Sequence, residues 1–126
     1  MAGIVIVEDD EIVGAMVGDS LATRGHCVEL VTSGDDALET IRECHPDLIV
    51  LDCALPGKSG LLVLKDLRES ATFQSTPVLV MSARRSDWYV NLALNEGADD
   101  YVKKPFHPAE IVQRIETLLG RASYAF

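Results

Sequence analysis

Carboxylate side chains directly follow two short apolar runs of this sequence. The acidic segment 8–10 follows the run 4–7, and Asp52 follows the run 48–51. Continuous apolar runs of this kind are typical of buried parallel strands, and ligands of open parallel sheets bind beyond the carboxyl ends of the strands. One acid of the first segment could simply cap the next helix, but capping does not account for all three. A carboxylate at the end of a buried central strand requires a cation, so Asp52 is the most informative acid of the set.

The composition of this carboxylate group indicates which cation would bind. Glu8, Asp9 and Asp52 would repel one another unless a positive charge lay among them. Mg²⁺ is commonly held by one or two carboxylates together with water and phosphate oxygens, and the group contains no His or Cys ligand. We therefore expect Mg²⁺ as the cofactor.

A hydroxyl and two amines follow the last two predicted strands. Ser82 follows the apolar run 78–81, and Lys103 and Lys104 follow the short segment 100–102. Taken singly, a serine after a strand is usually a turn residue and a lysine is usually solvated. Opposite a carboxylate group, however, Ser82 and Lys104 are the residue types that hold phosphoryl oxygens. The set predicts phosphoryl chemistry in which the Asp52 carboxylate is the nucleophile.

Alternating strands and helices are predicted to position these groups. The three continuous apolar runs predict central strands, whereas the segment 27–31 carries a charge and the segment 100–102 is short, as expected of edge strands. Apolar residues at helical spacing predict five helices, around 12–21, 37–41, 61–67, 90–94 and 111–119. An alternating chain of this type closes as an α/β fold, a doubly wound parallel sheet with helices on both faces and right-handed crossovers.

Length, charge and hydropathy exclude several classes of function. A chain of 126 residues with 48% hydrophobic residues is enough for one domain, which we place at 1–120, with a short tail or linker stub at 121–126. The net charge of −9 and the lack of a concentrated basic stretch argue against direct nucleic-acid binding. No apolar run approaches the roughly 20 residues of a membrane span, and no secretory signal precedes the first strand, so a cytoplasmic protein without membrane contact is expected.

The cysteines and histidines give no further site. Cys27, Cys44 and Cys53 are odd in number and lack CxxC spacing, so neither a disulfide framework nor a zinc site is indicated. We expect all three to be small buried residues in a reducing compartment. The three histidines are scattered along the chain and are assigned no role.

Four segments carry a family resemblance. They are 4–10 (IVIVEDD), 46–60, 77–83 (PVLVMSA) and 97–106 (GADDYVKKPF). In this order and at this spacing they resemble the receiver domain of two-component response regulators, over essentially the whole chain. The resemblance implies a flavodoxin-like fold with strand order 2-1-3-4-5, which agrees with the two edge strands inferred from composition.

The resemblance also implies a role for each acidic residue. Asp52 corresponds to the phosphoacceptor, which takes a phosphoryl group from a phosphohistidine on a sensor histidine kinase or a histidine phosphotransfer protein. Glu8 and Asp9 correspond to the acidic pair that binds Mg²⁺ together with Asp52 and the backbone carbonyl of Cys53. Glu8 stands where many members have Asp, and Cys53 is unusual beside a phosphoacceptor, where we expect a packing role rather than a redox role.

The remaining pocket residues correspond to the switch of the family. Ser82 stands for the Thr or Ser whose hydroxyl meets the phosphoryl group, and Lys104 stands for the Lys that pairs with it. The peptide bond between Lys104 and Pro105 is expected to be cis. Tyr101 corresponds to the aromatic residue whose inward rotation accompanies activation.

By the same resemblance, the output surface comprises the fourth helix, the fifth strand and the fifth helix, on which phosphorylated members dimerise or bind effectors. Val90 takes the place of a basic residue that would pair with Glu110. Trp88 and Tyr89 are adjacent in a helix and cannot both face the sheet, so at least one is expected to be exposed as an anchor for a partner. The other charged positions of the dimer contact are Asp99, Asp100, Arg114 and Arg121.

Two other classes of function compete with this interpretation. A pseudo-receiver adaptor signals without phosphorylation, but it should lack a pocket residue and none is missing. A phosphohydrolase with a DxDxT motif is disfavoured because the segment 52–56 (DCALP) has no second acid. We expect no enzyme in the usual sense, but a switch that assists only its own phosphorylation and dephosphorylation.

Overall fold

Five parallel strands form a single sheet in the order β2-β1-β3-β4-β5. The computed structural model describes residues 2–123, with side chains for 2–120. The strands alternate with five helices, so the predicted doubly wound fold and its strand order are confirmed. The elements in chain order are β1 (Gly3–Val7), α1 (Glu11–Thr23), β2 (Cys27–Val31), α2 (Gly34–Cys44), β3 (Leu48–Asp52), α3 (Gly60–Glu69), β4 (Val78–Ser82), α4 (Asp87–Asn95), β5 (Asp100–Lys103) and α5 (Pro108–Ser123).

The sheet separates two hydrophobic layers because successive side chains of a strand point to opposite faces. In β3, Ile49 and Leu51 belong to one layer with residues of α2 and α3, whereas Leu48 and Val50 belong to the other with α1 and α5. All five residues of β3 are buried, as are all five of β4. The two strands that carry Asp52 and Ser82 are therefore buried along their whole length.

The ends of the helices follow the boundary residues of the sequence. Asp10 is the N-cap of α1 and accepts hydrogen bonds from the amides of Ile12 and Val13, at 3.0 and 3.2 Å. Gly25 and Gly97 follow α1 and α4 with φ of 89° and 115°, a conformation that glycine adopts without strain. Of the three acids after β1, Asp10 is thus the one that serves the helix.

The start of α2 lies very close to the loop after β3. The amide of Gly34 donates to the carbonyl of Pro56 at 3.2 Å, and a Cβ atom at position 34 would lie 1.6 Å from the carbonyl oxygen of Lys58. Only glycine fits there. This contact fixes the loop that begins immediately behind Asp52.

The expectation that all three cysteines are buried is wrong for two of them. Cys53 is buried, but Cys27 and Cys44 are exposed and all three are free thiols. Cys27 begins the edge strand β2, and Cys44 ends α2, so neighbouring elements do not cover these two side chains.

The predicted tail begins within a helix, since the backbone of 121–123 continues α5, and residues 124–126 lie outside the described part of the chain. Within residues 2–123, no helix is both long enough and apolar enough to cross a membrane.

Candidate functional site

The carboxyl ends of four neighbouring strands bring the predicted site residues together. Glu8 follows β1, Asp52 and Ser82 end β3 and β4, and Lys104 follows β5. Glu8, Asp52 and Ser82 are 0, 2 and 1% exposed, although each is polar. Burial of three polar side chains at one edge of the sheet is costly unless they interact with one another or with a ligand.

The three carboxylates that were predicted to meet do so. One oxygen each of Glu8, Asp9 and Asp52 lies within 4.8 Å of the others. Glu8 and Asp52 are buried, whereas Asp9 is exposed and closes the solvent side of the group. Among the described residues, no other group of three His, Cys, Asp or Glu side chains comes together in this way.

Lys104 is the cation of the site. Its Nζ donates to Oε1 of Glu8 at 2.5 Å and to Oδ2 of Asp52 at 3.2 Å, while its backbone amide donates to the carbonyl of Ser82 at 2.7 Å. The peptide bond between Lys104 and Pro105 is cis, as expected. One ammonium against three carboxylates leaves an excess of negative charge when all are ionised.

The pKa values of Glu8 and Lys104 reflect this excess of negative charge. Burial and, next, the neighbouring carboxyl of Asp52 raise the pKa of Glu8 to about 7, and the ammonium of Lys104 only partly opposes the shift. Burial works against the charge of Lys104, but its contacts with Glu8 and Asp52 outweigh burial and raise the pKa of the amine. The site is therefore built to hold an ammonium and to accept one more positive charge, either a proton or a metal ion.

The donor set fits Mg²⁺. All three side-chain ligands are carboxylate oxygens, which hard divalent cations prefer. The carbonyl oxygen of Cys53 accepts a hydrogen bond from the amide of Gly60 at 3.2 Å and keeps a second lone pair for a metal. Glu8, Asp9, Asp52 and the Cys53 carbonyl would hold the ion, which is the set that the family resemblance implied.

The Asp52 carboxylate is oriented through both of its oxygens. Oδ2 accepts from Lys104, and Oδ1 accepts from the backbone amide of Ala54 at 3.2 Å. The hydroxyl of Ser82 accepts from the amide of Arg84 at 3.1 Å and lies at the start of the loop between β4 and α4. The Asp52 carboxylate is thus held between an ammonium and a backbone N–H.

Tyr101 lies in the inward orientation. Its side chain is 7% exposed, and its hydroxyl donates to the carbonyl of Arg84 at 2.7 Å. Burial raises the pKa of the Tyr101 phenol. The ring packs edge-on against Tyr89, with 6.4 Å between the ring centroids and 75° between the planes.

The contact between Cys53 and Tyr89 was not foreseen from the sequence. Burial raises the pKa of the Cys53 thiol to about 11, and a hydrogen bond from Tyr89 partly opposes the shift. The two residues are far apart in the chain, and no periodicity or motif joins them. The hydrophobic layer on one face of the sheet contains both of them.

The two aromatic residues at the start of α4 differ in exposure, as predicted. Trp88 is 72% exposed, whereas Tyr89 is partly buried against the core. Val90 is also partly buried against the core. The structure thus offers Trp88, not Tyr89, as the aromatic group available on the surface.

The charges expected on the output surface are already paired within the chain. Arg114 contacts Asp100 at 3.0 Å and Glu110 at 3.5 Å, so Glu110 has a basic partner even though position 90 is a valine. Asp99 is held by the guanidinium of Arg68 at 2.9 Å and by the amide of Val78 at 2.8 Å, which directs it towards α3. The side chain of Arg121 lies outside the described residues.

Comparison with known proteins agrees with this site. The model of the response regulator receiver domain matches residues 4–116, and the chain belongs to this family. It is 37% identical over 118 residues to the transcriptional regulatory protein BaeR of Escherichia coli O6:H1, covering 94% of this chain and 48% of that protein. It is 38% identical over 121 residues to the transcriptional regulatory protein AfsQ1 of Streptomyces coelicolor, covering 96% and 52%. The chain therefore spans about half the length of these relatives.

Solved structures show the same similarity. The BeF₃-activated N-terminal receiver domain of Klebsiella pneumoniae RstA superposes with a TM-score of 0.86 at 36% identity, covering 93% of this chain and 97% of that one. The receiver domain of the Francisella response regulator 1452 superposes with a TM-score of 0.91 at 29% identity, covering 97% and 99%. The fold and the family are thus established, and this chain is a receiver domain of two-component systems.

Proposed function

We propose that this receiver domain accepts a phosphoryl group on Asp52 from a phosphohistidine donor, in a Mg²⁺-dependent reaction, and transmits the event through α4, β5 and α5. The observation that carries the proposal is the buried Asp52 carboxylate, bonded to Lys104 and grouped with Glu8 and Asp9. A sensor histidine kinase or a histidine phosphotransfer protein is the donor.

In the transfer step, an Asp52 oxygen attacks phosphorus in line, the bond between phosphorus and the histidine nitrogen breaks, and the imidazole leaves with the electron pair. The protein contributes position and charge. Lys104 remains an ammonium because its pKa is raised, and it neutralises charge on the phosphoryl oxygens. Mg²⁺ would be held by Glu8, Asp9 and Asp52 and would supply Lewis-acid stabilisation of the same charge.

Once formed, the acyl phosphate provides new acceptor oxygens. The Ser82 hydroxyl turns from the Arg84 amide to a phosphoryl oxygen, and Lys104 exchanges a carboxylate contact for a phosphate contact. These contacts favour one arrangement of the loop after β4 and of Tyr101, so the signal is a shift of populations. Water attacking in line ends the signal, and we propose that Ala54 and Arg84 influence the lifetime because both follow pocket residues.

The output surface is proposed to bind a second copy of the domain or an effector. The relatives named above are transcriptional regulators about twice as long as this chain. Their length supports the proposal that the whole protein carries an effector domain. Because Arg114 and Asp99 are paired within the chain, we propose that exposed Trp88 anchors the contact. Sedimentation velocity with beryllofluoride should show that Trp88→Ala weakens self-association, whereas Leu62→Ala, an exposed change on α3, leaves it unaltered.

A cytoplasmic location is part of the proposal, as is the view that the domain acts only on its own phosphorylation state. The alternative is a pseudo-receiver that binds partners without phosphorylation. The presence of Glu8, Asp9, Asp52, Ser82 and Lys104 at one edge of the sheet favours the phosphorylated switch.

Incubation with acetyl phosphate distinguishes the two functions. In the presence of Mg²⁺, intact-mass spectrometry should show one phosphoryl group on the wild type, removable by hydroxylamine. Asp52→Asn should show none, and Asp9→Ala should label slowly because a metal ligand is missing. A wild type that stays unlabelled with acetyl phosphate and with several phosphohistidine donors would favour the pseudo-receiver.

A further inference from the structure

Tyr89 contacts three parts of the site that lie on different elements. Its side chain packs against the hydrophobic cluster that contains Cys53, the residue directly after Asp52. Its ring receives the edge-on contact of Tyr101 from β5. The guanidinium of Arg84, in the loop after β4, lies 5.1 Å from the ring centroid. One side chain of α4 thus contacts strand β5 and the loop after β4, and it shares a hydrophobic layer with the residue that follows β3.

Arg84, Tyr89 and Tyr101 each contact the other two. The Tyr101 hydroxyl donates to the carbonyl of Arg84, and the Arg84 side chain returns over the face of Tyr89. Edge-on aromatic pairs and cations over ring faces are both attractive because of the negative ring face. The Tyr89 ring packs against the Tyr101 ring, and Tyr101 is only 7% exposed.

A contact that exists in only one of two arrangements biases the equilibrium by its full free energy. In this structure Tyr101 is buried and its ring contacts Tyr89. We propose that Tyr89 is a positioning residue that holds Tyr101 inward and so favours the arrangement that phosphorylation selects. This inference rests on the proposed function, because it concerns the same switch.

Beryllofluoride, which mimics the phosphoryl group on the aspartate, measures the bias by linkage. Its affinity for the Mg²⁺-loaded domain is titrated by ¹⁹F NMR for the wild type, Tyr89→Phe, Tyr89→Leu and the control Leu62→Ala, an exposed change on α3. An edge-on aromatic contact corresponds to about a two- to tenfold change in an equilibrium, so Tyr89→Leu should bind about two- to tenfold more weakly. Tyr89→Phe keeps the ring and should stay close to wild type, as should the exposed control.

A second measurement separates positioning from a general loss of stability. In a Tyr101→Leu background, Tyr89→Leu should cause little further loss of beryllofluoride affinity, because the contact is already absent. Equal affinity of Tyr89→Leu and wild type, or an undiminished loss in the Tyr101→Leu background, overturns the inference while leaving phosphorylation of Asp52 intact. A lower urea midpoint without a lower affinity also overturns it. A wild type that does not bind beryllofluoride refutes the proposed function itself.

Discussion

Mg²⁺ should stabilise the domain, and the stabilisation should depend on pH through Glu8. Without metal, burial and the Asp52 carboxyl raise the pKa of Glu8 to about 7 from an ordinary value of 4.5. A raised folded-state pKa contributes stability that is present below pH 4.5 and is lost as the pH rises through 7. The metal-free domain should therefore lose stability from this group between pH 5 and pH 8.

The magnitude of the metal effect follows from mass action. At a Mg²⁺ concentration about 100-fold above the dissociation constant, a folded-only site adds about 2.7 kcal/mol. At pH 6 Glu8 is about nine-tenths protonated, so the apparent affinity falls about tenfold and the gain falls to about 1.4 kcal/mol. For a chain of 126 residues, these gains correspond to shifts in Tm of about 10 °C at pH 8 and about 5 °C at pH 6.

Differential scanning calorimetry with and without Mg²⁺ at the two pH values tests this calculation. Asp9→Ala should remove most of the shift at both pH values, whereas Asp19→Asn, an exposed change on α1, should keep it. A shift of the same size at pH 6 and pH 8, or one that survives in Asp9→Ala, would refute the assignment of Mg²⁺ to the site beside Glu8.

Three further changes test the site and its supports. Asp52→Asn relieves carboxylate repulsion at Glu8, so without Mg²⁺ at pH 8 its free energy of unfolding should rise by about 1 kcal/mol and its Tm should rise with it. The variant should no longer respond to Mg²⁺. A lower Tm would contradict the repulsion argument. Gly34→Ala places a Cβ against a backbone carbonyl and should cost at least about 2 kcal/mol in urea unfolding, whereas Gly120→Ala, with open space around it, should be neutral or stabilising. Arg68→Lys removes a guanidinium that donates hydrogen bonds to four backbone carbonyls and one carboxylate. The urea midpoint should therefore fall by an amount corresponding to about 2 kcal/mol. Arg42→Lys, on the surface, is the control and should leave the midpoint unchanged.

Most of the fold and the centre of the site could be predicted from the sequence because both depend on local pattern. Continuous apolar runs mark buried parallel strands, and the ends of such strands meet at one edge. The grouping of Glu8, Asp9 and Asp52 followed from this rule alone, and the structure confirms it. The backbone carbonyl of Cys53, by contrast, required the family resemblance, since every residue has a carbonyl.

What could not be predicted depends on packing between distant elements. Whether a cysteine is exposed depends on its neighbours in space, and the sequence does not show that Cys27 lies on an uncovered edge. Asp99 was assigned to the output surface, but its carboxylate is bound to Arg68, which is 31 residues away. The sequence predicts that Trp88 and Tyr89 do not both face the sheet, but it does not show that the Tyr89 ring lies against Tyr101.

The central claim is that Asp52 is the phosphoacceptor, and chemical mapping of the modified residue tests it most directly. The domain is labelled with acetyl phosphate and Mg²⁺, reduced with borohydride, digested and sequenced by tandem mass spectrometry. Because borohydride converts an aspartyl phosphate to homoserine, the account predicts homoserine at position 52 and unmodified acids at Glu8 and Asp9. Homoserine at another aspartate, or phosphate retained on a serine or histidine while Asp52 stays unmodified, would contradict it.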